Sequence, residues 1–173
     1  METARLAGRP LATGDVDFVM KTFNDDRVTE LVRETMTEQE VRDRIERWRR
    51  HRATYGYATE LVHDRSTARR IGWGGLQHST IGIGERLTIG YLVGPDFWGR
   101  GYATEIAQAS VDFAFSQGSA DEVRASILSS NTPSRSVAEK VGMSLECETS
   151  HGDLVEVIYV IDRPTWGRRG GQQ

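Results

Sequence analysis

The stretch IGYLVGPDFWGRGYATEIAQ, residues 89–108, constrains this chain more than any other. An apolar strand-like run ends at Gly94-Pro95, and Gly99, Gly101 and Ala103 then open a segment of helical composition from about Tyr102 to Gln117. A second strand pattern follows at 122–128. Strand, helix and strand in that order form a crossover unit, so the sheet here must contain a parallel pair. Side chains this small let a backbone come close to a ligand. The first N–H groups of the helix lack intrahelical acceptors and, with the helix dipole, favour an anion. Arg100 adds a full positive charge. The physical reading is a cradle for phosphate or pyrophosphate, against which stands simple tight packing between a strand and a helix. The third glycine of a dinucleotide fingerprint is missing, since position 104 is Thr, and no G-K-[ST] follows to make a Walker loop.

The flanking patterns supply the rest of the fold. Residues 5–12 read as a short strand, and Asp15 to Phe23 as a helix entered through Thr13. Thr37 and Glu40 have capping-box spacing, and Val41, Ile45 and Trp48 then recur on one helical stripe. Tyr55–His63, Arg70–His78 and Arg86–Val93 read as strands whose connections are too short for crossovers, hence an antiparallel meander. NTPSRSVAEKVGM, residues 131–143, begins where the 122–128 strand ends; Thr132 is its expected cap, with Pro133 in its first turn and Gly142 beyond its end. Strands at 143–150 and 154–162 close the chain through the turn composition SHGD. The sum is an α+β domain over residues 1–167. It has a mixed, mostly antiparallel sheet of seven strands with a central parallel pair, about four helices, and a frayed tail at 168–173. Asn131 and Ser134 fall beside the glycine loop, at the carboxyl edge where open sheets bind ligands; Asn131 and Thr132 would also serve as ordinary helix caps.

Composition removes several function classes. The 173 residues carry 22 basic and 25 acidic side chains, a net charge of −3 that offers no electrostatic footprint for nucleic acid. The basic run RDRIERWRRHR, residues 42–52, is interrupted by Asp43 and Glu46 and reads as a solvated helix face. Cys147 has no partner for a disulfide, which fits a reducing cytoplasm. His51, His63, His78 and His151 share no zinc-binding spacing, so no metal is expected. No apolar stretch reaches the ~18 residues of a membrane span, and METARLAGRP has no signal-peptide character.

WGRGYATE followed by NTPSRSVAEKVGM resembles the GCN5-related N-acetyltransferases, and within them the branch that acetylates ribosomal-protein N-termini. The opening TARLAGRPL, IGWGGL at 71–76 and a closing strand ending in Arg163 and Trp166 extend the likeness over nearly the whole chain. The resemblance implies a site for acetyl-CoA. The amides of Gly99, Arg100, Gly101, Tyr102, Ala103 and Thr104 would hold its pyrophosphate, with Trp98 at the first motif position. The strand edge at Leu92 and Val93 would pair with the pantetheine arm and polarise the thioester, and Asn131 and Ser134 would contact the pantetheine end.

The proton carriers depart from that pattern. Position 88, where relatives often carry a carboxylate base, is Thr88, leaving Glu85 through water or His78 as substitutes. The tyrosine acid of many relatives is replaced by Ala138, leaving Ser134, for which the equal alternative is a hydrogen bond to the coenzyme or its own helix. Residues 24–36 and the 149–153 turn are expected at the acceptor side, with Tyr57, Trp73 and Tyr91 as candidate cleft aromatics. The acceptor reading is a protein or peptide N-terminal amine. The alternatives are a small-molecule amine (aminoglycoside, polyamine or amino acid) and a catalytically quiet coenzyme-binding protein. Exposed strand edges and the resemblance leave a homodimer open.

Overall fold

The computed structural model describes residues 1–80, 85–117 and 120–170. Its elements are β1 (Leu6–Pro10), α1 (Val16–Phe23), α2 (Asp26–Val32), α3 (Glu38–Tyr55), β2 (Thr59–Asp64), β3 (Arg70–Thr80), β4 (Glu85–Val93), α4 (Tyr102–Ser116), β5 (Glu122–Leu128), α5 (Thr132–Lys140), β6 (Ser144–His151), β7 (Leu154–Asp162) and α6 (Arg163–Gly170). Short 3-10 turns occupy Thr13–Asp15 and Pro95–Phe97. The seven strands form one sheet in the order β1-β2-β3-β4-β5-β7-β6. Only β4 and β5 pair in parallel, as the crossover through α4 demands; the other neighbours are antiparallel.

Beside a smaller cluster of Leu6, Val62, Ile71, Val93, Tyr102 and Ile106, two larger cores lie on the two faces of the sheet. On one, Val19 and Phe23 of α1 and Val41, Ile45 and Trp48 of α3 pack on Leu61 and Trp73 of the sheet. On the other, Ala107, Val111, Ala114 and Phe115 of α4 and Ala138 and Val141 of α5 cover Ile89, Val123, Ala125, Val157 and Tyr159. The stripe read at Val41, Ile45 and Trp48 is therefore the buried edge of α3. Its capping box is formed as expected: Thr37 Oγ1 accepts from the Glu40 N–H, and the Glu40 carboxylate accepts from the Thr37 N–H at 2.7 Å. Gly56, at φ +80, ends this helix, so Tyr55 closes α3 rather than opening β2.

Six helices form among the described residues, against about four expected. The additional ones are α2 and α6. A seven-residue helix that buries only Val28 has no apolar stripe to announce it, although Asp25 caps it by accepting the Arg27 N–H. Helix α6 takes in Arg168 to Gly170 of the expected tail and replaces the strand ending foreseen at Arg163 and Trp166, while 171–173 lie outside the described residues. Asp162 accepts from the Thr165 N–H at 2.8 Å at its start, and the Trp166 indole donates to Asp112 at 2.7 Å. The cap of α5 is Asn131, not Thr132, which is the first helical residue. Entry to α1 is likewise fixed by Asp15, which accepts from the Ala12 N–H and pairs with Arg9, rather than by Thr13.

Candidate active site

A cleft opens where the parallel pair fails. The β4–β5 ladder holds a single register pair, Thr88 with Arg124, yet β4 continues to Val93 and β5 to Leu128. On its other side β4 stays paired with β3 up to Val93 opposite Gly72. The Gly94 N–H donates to the Ile71 carbonyl on β3 at 2.8 Å. Because backbone groups alternate in direction along a strand, the Val93 N–H and carbonyl turn toward the splay, as do those of Tyr91. Leu92 turns its own backbone to β3. This corrects the expected strand edge: Val93 and Tyr91 present it, and Leu92 does not. Trp98 takes one of these groups, its indole N–H donating to the Val93 carbonyl at 2.6 Å.

The glycine loop stands across the splay. Gly99 and Gly101 have φ of +74 and +78, a conformation that only glycine adopts without strain. Gly101 is the N-cap of the fifteen-residue α4 and supplies no side-chain cap. Its first N–H groups are thus left for an external acceptor. Helix α5, beside it, differs: the Asn131 side chain accepts the Ser134 N–H at 3.2 Å. The Ser134 carbonyl accepts the phenol O–H of Tyr91 at 3.0 Å, tying the first turn of α5 to β4. Burial pushes the Tyr91 phenol well above its ordinary value. The Ser134 hydroxyl faces the same cavity without a hydrogen-bond partner among the described residues.

These elements enclose a cavity of about 540 Å³. Leu92, Val93, Trp98, Gly99, Gly101, Tyr102, Ala103, Thr104, Asn131 and Ser134 all line it, so ten residues separated by up to 42 positions in sequence meet at one place. Two of the expected residues do not. The Arg100 side chain lies back along its own loop, donating to the Asp96 carbonyl at 3.2 Å and stacking 5.7 Å from the Phe97 ring. Glu85 stands at the opposite end of the nine-residue β4, about 26 Å from Val93 at the usual rise of ~3.3 Å per residue. It faces Tyr57 and His78 instead, both of which feel its charge. A proton cannot be relayed over that distance by one water, so Glu85 does not serve this cleft as base. His78 is also outside it, in an aromatic cluster with His51, Tyr55 and Tyr57.

Thr88 is 3% exposed and gives its hydroxyl to the Gln77 carbonyl at 2.9 Å, a structural position on the sheet face. Of the three candidate aromatics only Tyr91 lines the cavity; Trp73 packs edge-on against Phe18, and Tyr57 against Phe113. Helix α2 contributes Val28, Leu31 and Val32 as an apolar wall. No acidic residue of the same segment lines the cavity among the described residues; Asp25 pairs with Arg27 and Glu34 with Arg44. The 149–153 turn is not part of the lining. Lys140 is the one charged side chain on the wall, and neither a carboxylate nor a histidine lines the cavity among the described residues. In the basic run of α3, Arg42 pairs with Glu38, Arg49 with Glu46 and Arg52 with Glu60.

A sheet splayed at one parallel pair, with a strand edge facing an uncapped, glycine-opened helix, offers an extended ligand with an anionic end both a strand to pair with and a helix start to bind. The description "Acetyltransferase (GNAT) domain" fits residues 5–144, and the chain belongs to that family. It is 30% identical over 121 residues, 70% of each chain, to the uncharacterized protein YkkB of Bacillus subtilis. Among solved structures it is similar to an acetyltransferase from Agrobacterium tumefaciens, with a TM-score of 0.81 and 24% identity over 93% of this chain and 92% of that one. Two more distant ones share the fold. A spermidine N-acetyltransferase from Vibrio cholerae, in complex with CoA and spermine, aligns at TM-score 0.72 and 17% identity, covering 95% and 99% of the chains. A ribosomal-protein-S5-alanine acetyltransferase from Vibrio fischeri aligns at 0.75 and 15%, covering 96% and 97%. The protein is an acetyl-CoA-dependent N-acetyltransferase of the GNAT family.

Proposed function

We propose that the acceptor is the α-amine at the N-terminus of a peptide or protein. The observation that carries this reading is the absence of any carboxylate or histidine from the cavity wall among the described residues. Acyl transfer needs an unprotonated amine, and a wall without a base must receive one already neutral. An α-amine, with an ordinary pKa of about 7.7–8.0, is about one-third neutral at pH 7.5, whereas a lysine-like amine near 10.4 is neutral to only about 0.1%. The same lack of carboxylates disfavours polyamines and aminoglycosides, whose additional ammonium groups would be desolvated without counter-charge. The apolar wall of Val28, Leu31 and Val32 suits the side chains next to a peptide terminus. The likeness to the ribosomal-protein enzyme of Vibrio fischeri supports the reading at the level of fold.

Acetyl-CoA supplies the activated acyl group as its thioester. The amides from Gly99 to Thr104 fit its pyrophosphate, as an uncapped helix start with two left-handed glycines requires. The Val93 N–H, turned away from β3, would stabilise a developing oxyanion as a fixed dipole that needs no reorganisation during reaction. Ser134, on the cavity wall, would return a proton to the departing thiolate.

The test is thiol release with acetyl-CoA against a panel of N-terminally free peptides, blocked peptides carrying only lysine, spermidine and an aminoglycoside. Free N-termini should lead by at least tenfold in kcat/KM, and the rate should climb with pH through about 8 as the acceptor itself deprotonates. Preference for spermidine or for lysine would overturn the N-terminal reading, and coenzyme binding with no acceptor turned over would favour a quiet binding protein.

A further inference from the structure

We infer that Arg5 is a positioning residue for the pyrophosphate cradle, set in place from the far end of the sequence. The inference rests on the coenzyme reading above and adds a residue to it. Arg5 lies just before β1 and reaches the glycine loop, where one guanidinium nitrogen donates to the Arg100 carbonyl at 3.0 Å. Its Nε donates to Glu105 at 2.7 Å, and its backbone N–H donates to the same carboxylate at 3.1 Å. The guanidinium also lies over the Tyr102 ring, 4.7 Å from its centroid, and a Cβ added to Gly101 would sit 3.5 Å from it. Thr3 Oγ1 donates to Glu105 at 2.6 Å, and Tyr102 is held at its other end by Asp64, at 3.0 Å.

Two consequences follow from these contacts. In a trans peptide the C=O and N–H point in opposite directions. Arg5 draws the Arg100 carbonyl outward, so the Gly101 N–H of the same peptide unit is turned inward, to the side of the cavity. With glycine on both sides of Arg100, little else fixes that plane. The second consequence is electrostatic. Glu105 lies in the first turn of α4, where its negative charge would oppose an incoming pyrophosphate, and Arg5 cancels that charge at 2.6 Å. One guanidinium thus both aims a donor and neutralises the nearest carboxylate. Lysine cannot do both, because an ammonium lacks the fork that spans two acceptors.

Steady-state kinetics with two donors tests the assignment: acetyl-CoA, and S-acetylpantetheine, which has the thioester arm and no pyrophosphate. Arg5→Gln should raise KM for acetyl-CoA at least tenfold with kcat held within twofold, and leave KM for S-acetylpantetheine unchanged. Arg5→Lys should fall between wild type and Arg5→Gln. Equal losses on both donors would reduce Arg5 to a general structural role, and no loss on acetyl-CoA would remove it altogether. If Arg5→Gln does not fold, the Arg5→Lys comparison between donors decides by the same criteria. Failure of wild type to bind acetyl-CoA by calorimetry would sink the coenzyme reading and this one with it. Wild-type binding with an indifferent Arg5→Gln sinks this one alone.

Discussion

Two glycines show how single positions set the cleft. A Cβ at Gly72 would collide with the Leu92 carbonyl and press on the Val93 Cα, all of it backbone that has nowhere to go. Gly90, in the neighbouring strand, would meet nothing within 4 Å. Gly72→Ala should therefore lose about 1–3 kcal/mol, a fall of roughly 2–12 °C in melting temperature at ~2–4 °C per kcal/mol, and should weaken acetyl-CoA binding by shifting Val93. Gly90→Ala should match or exceed wild-type stability, and scanning calorimetry of the pair separates the two. Ser134→Ala belongs to the same scale. Turnover should drop about tenfold or more with coenzyme affinity retained, within the range of general acid catalysis; unchanged turnover would leave Ser134 as a helix and coenzyme contact only. That Gly99, Gly101, Asn131 and Ser134 meet at one cavity was legible in sequence, because two loops that each follow a strand of the parallel pair fall at one sheet edge. Arg5 was not. Its role depends on a carbonyl nearly a hundred positions away, and no local pattern encodes that.

At the scale of elements, the contrast between the starts of α4 and α5 carries the argument. One helix has its Ser134 N–H taken by the Asn131 side chain, and the other begins on a bare Gly101. A carboxylate placed in the first turn of α4 would favour the helix while repelling an anion. Thr104→Glu should therefore keep or slightly raise the melting temperature and lower acetyl-CoA affinity at least tenfold by calorimetry. It is a cleaner probe than a bulky residue at Gly101, where φ of +78 would add backbone strain. Retained affinity in the folded variant would move the pyrophosphate elsewhere. Elements with strong periodicity or punctuation were readable in advance: α3 from its capping box and stripe, β5 from its bounds, α4 from the loop before it. Helix α2 is too short to show a stripe. Helix α6 did leave a signal, Asp162 before Arg163-Pro164, which is the usual punctuation of a helix start.

Over the whole molecule, pH reaches stability through groups remote from the cleft. His78 is held below its ordinary value, chiefly by burial and further by His51, against the opposing pull of Glu85. The His51 ring donates from Nδ1 to the Tyr57 carbonyl at 2.8 Å, which leaves Nε2 to accept the His78 backbone N–H at 2.9 Å. A depressed histidine contributes stability that is complete above its unfolded value of about 6.5 and is lost as pH falls toward its folded one. The melting temperature should thus decline between pH 7 and pH 5, and His78→Gln should flatten that decline. An identical slope in the variant would assign the effect to other groups. Asp15, held below the usual carboxylate range first by Arg9 and also by the Ala12 N–H, adds a second loss only in stronger acid, below about pH 4.

By itself the sequence determined the succession of seven strands, four of the helices, the parallel pair and the glycine-opened helix, because each is written in residues close together along the chain. The family and its chemistry came with those motifs. Tertiary structure decided what lies across them. It turned Val93 rather than Leu92 toward the splay, sent Glu85 to the far end of β4, left the cavity wall without a base among the described residues and brought Arg5 to the Arg100 carbonyl. Local pattern specifies which way a strand or helix runs. Which backbone group is left unpaired, and which charge stands near it, depends on registers and contacts between segments that sequence spacing does not contain.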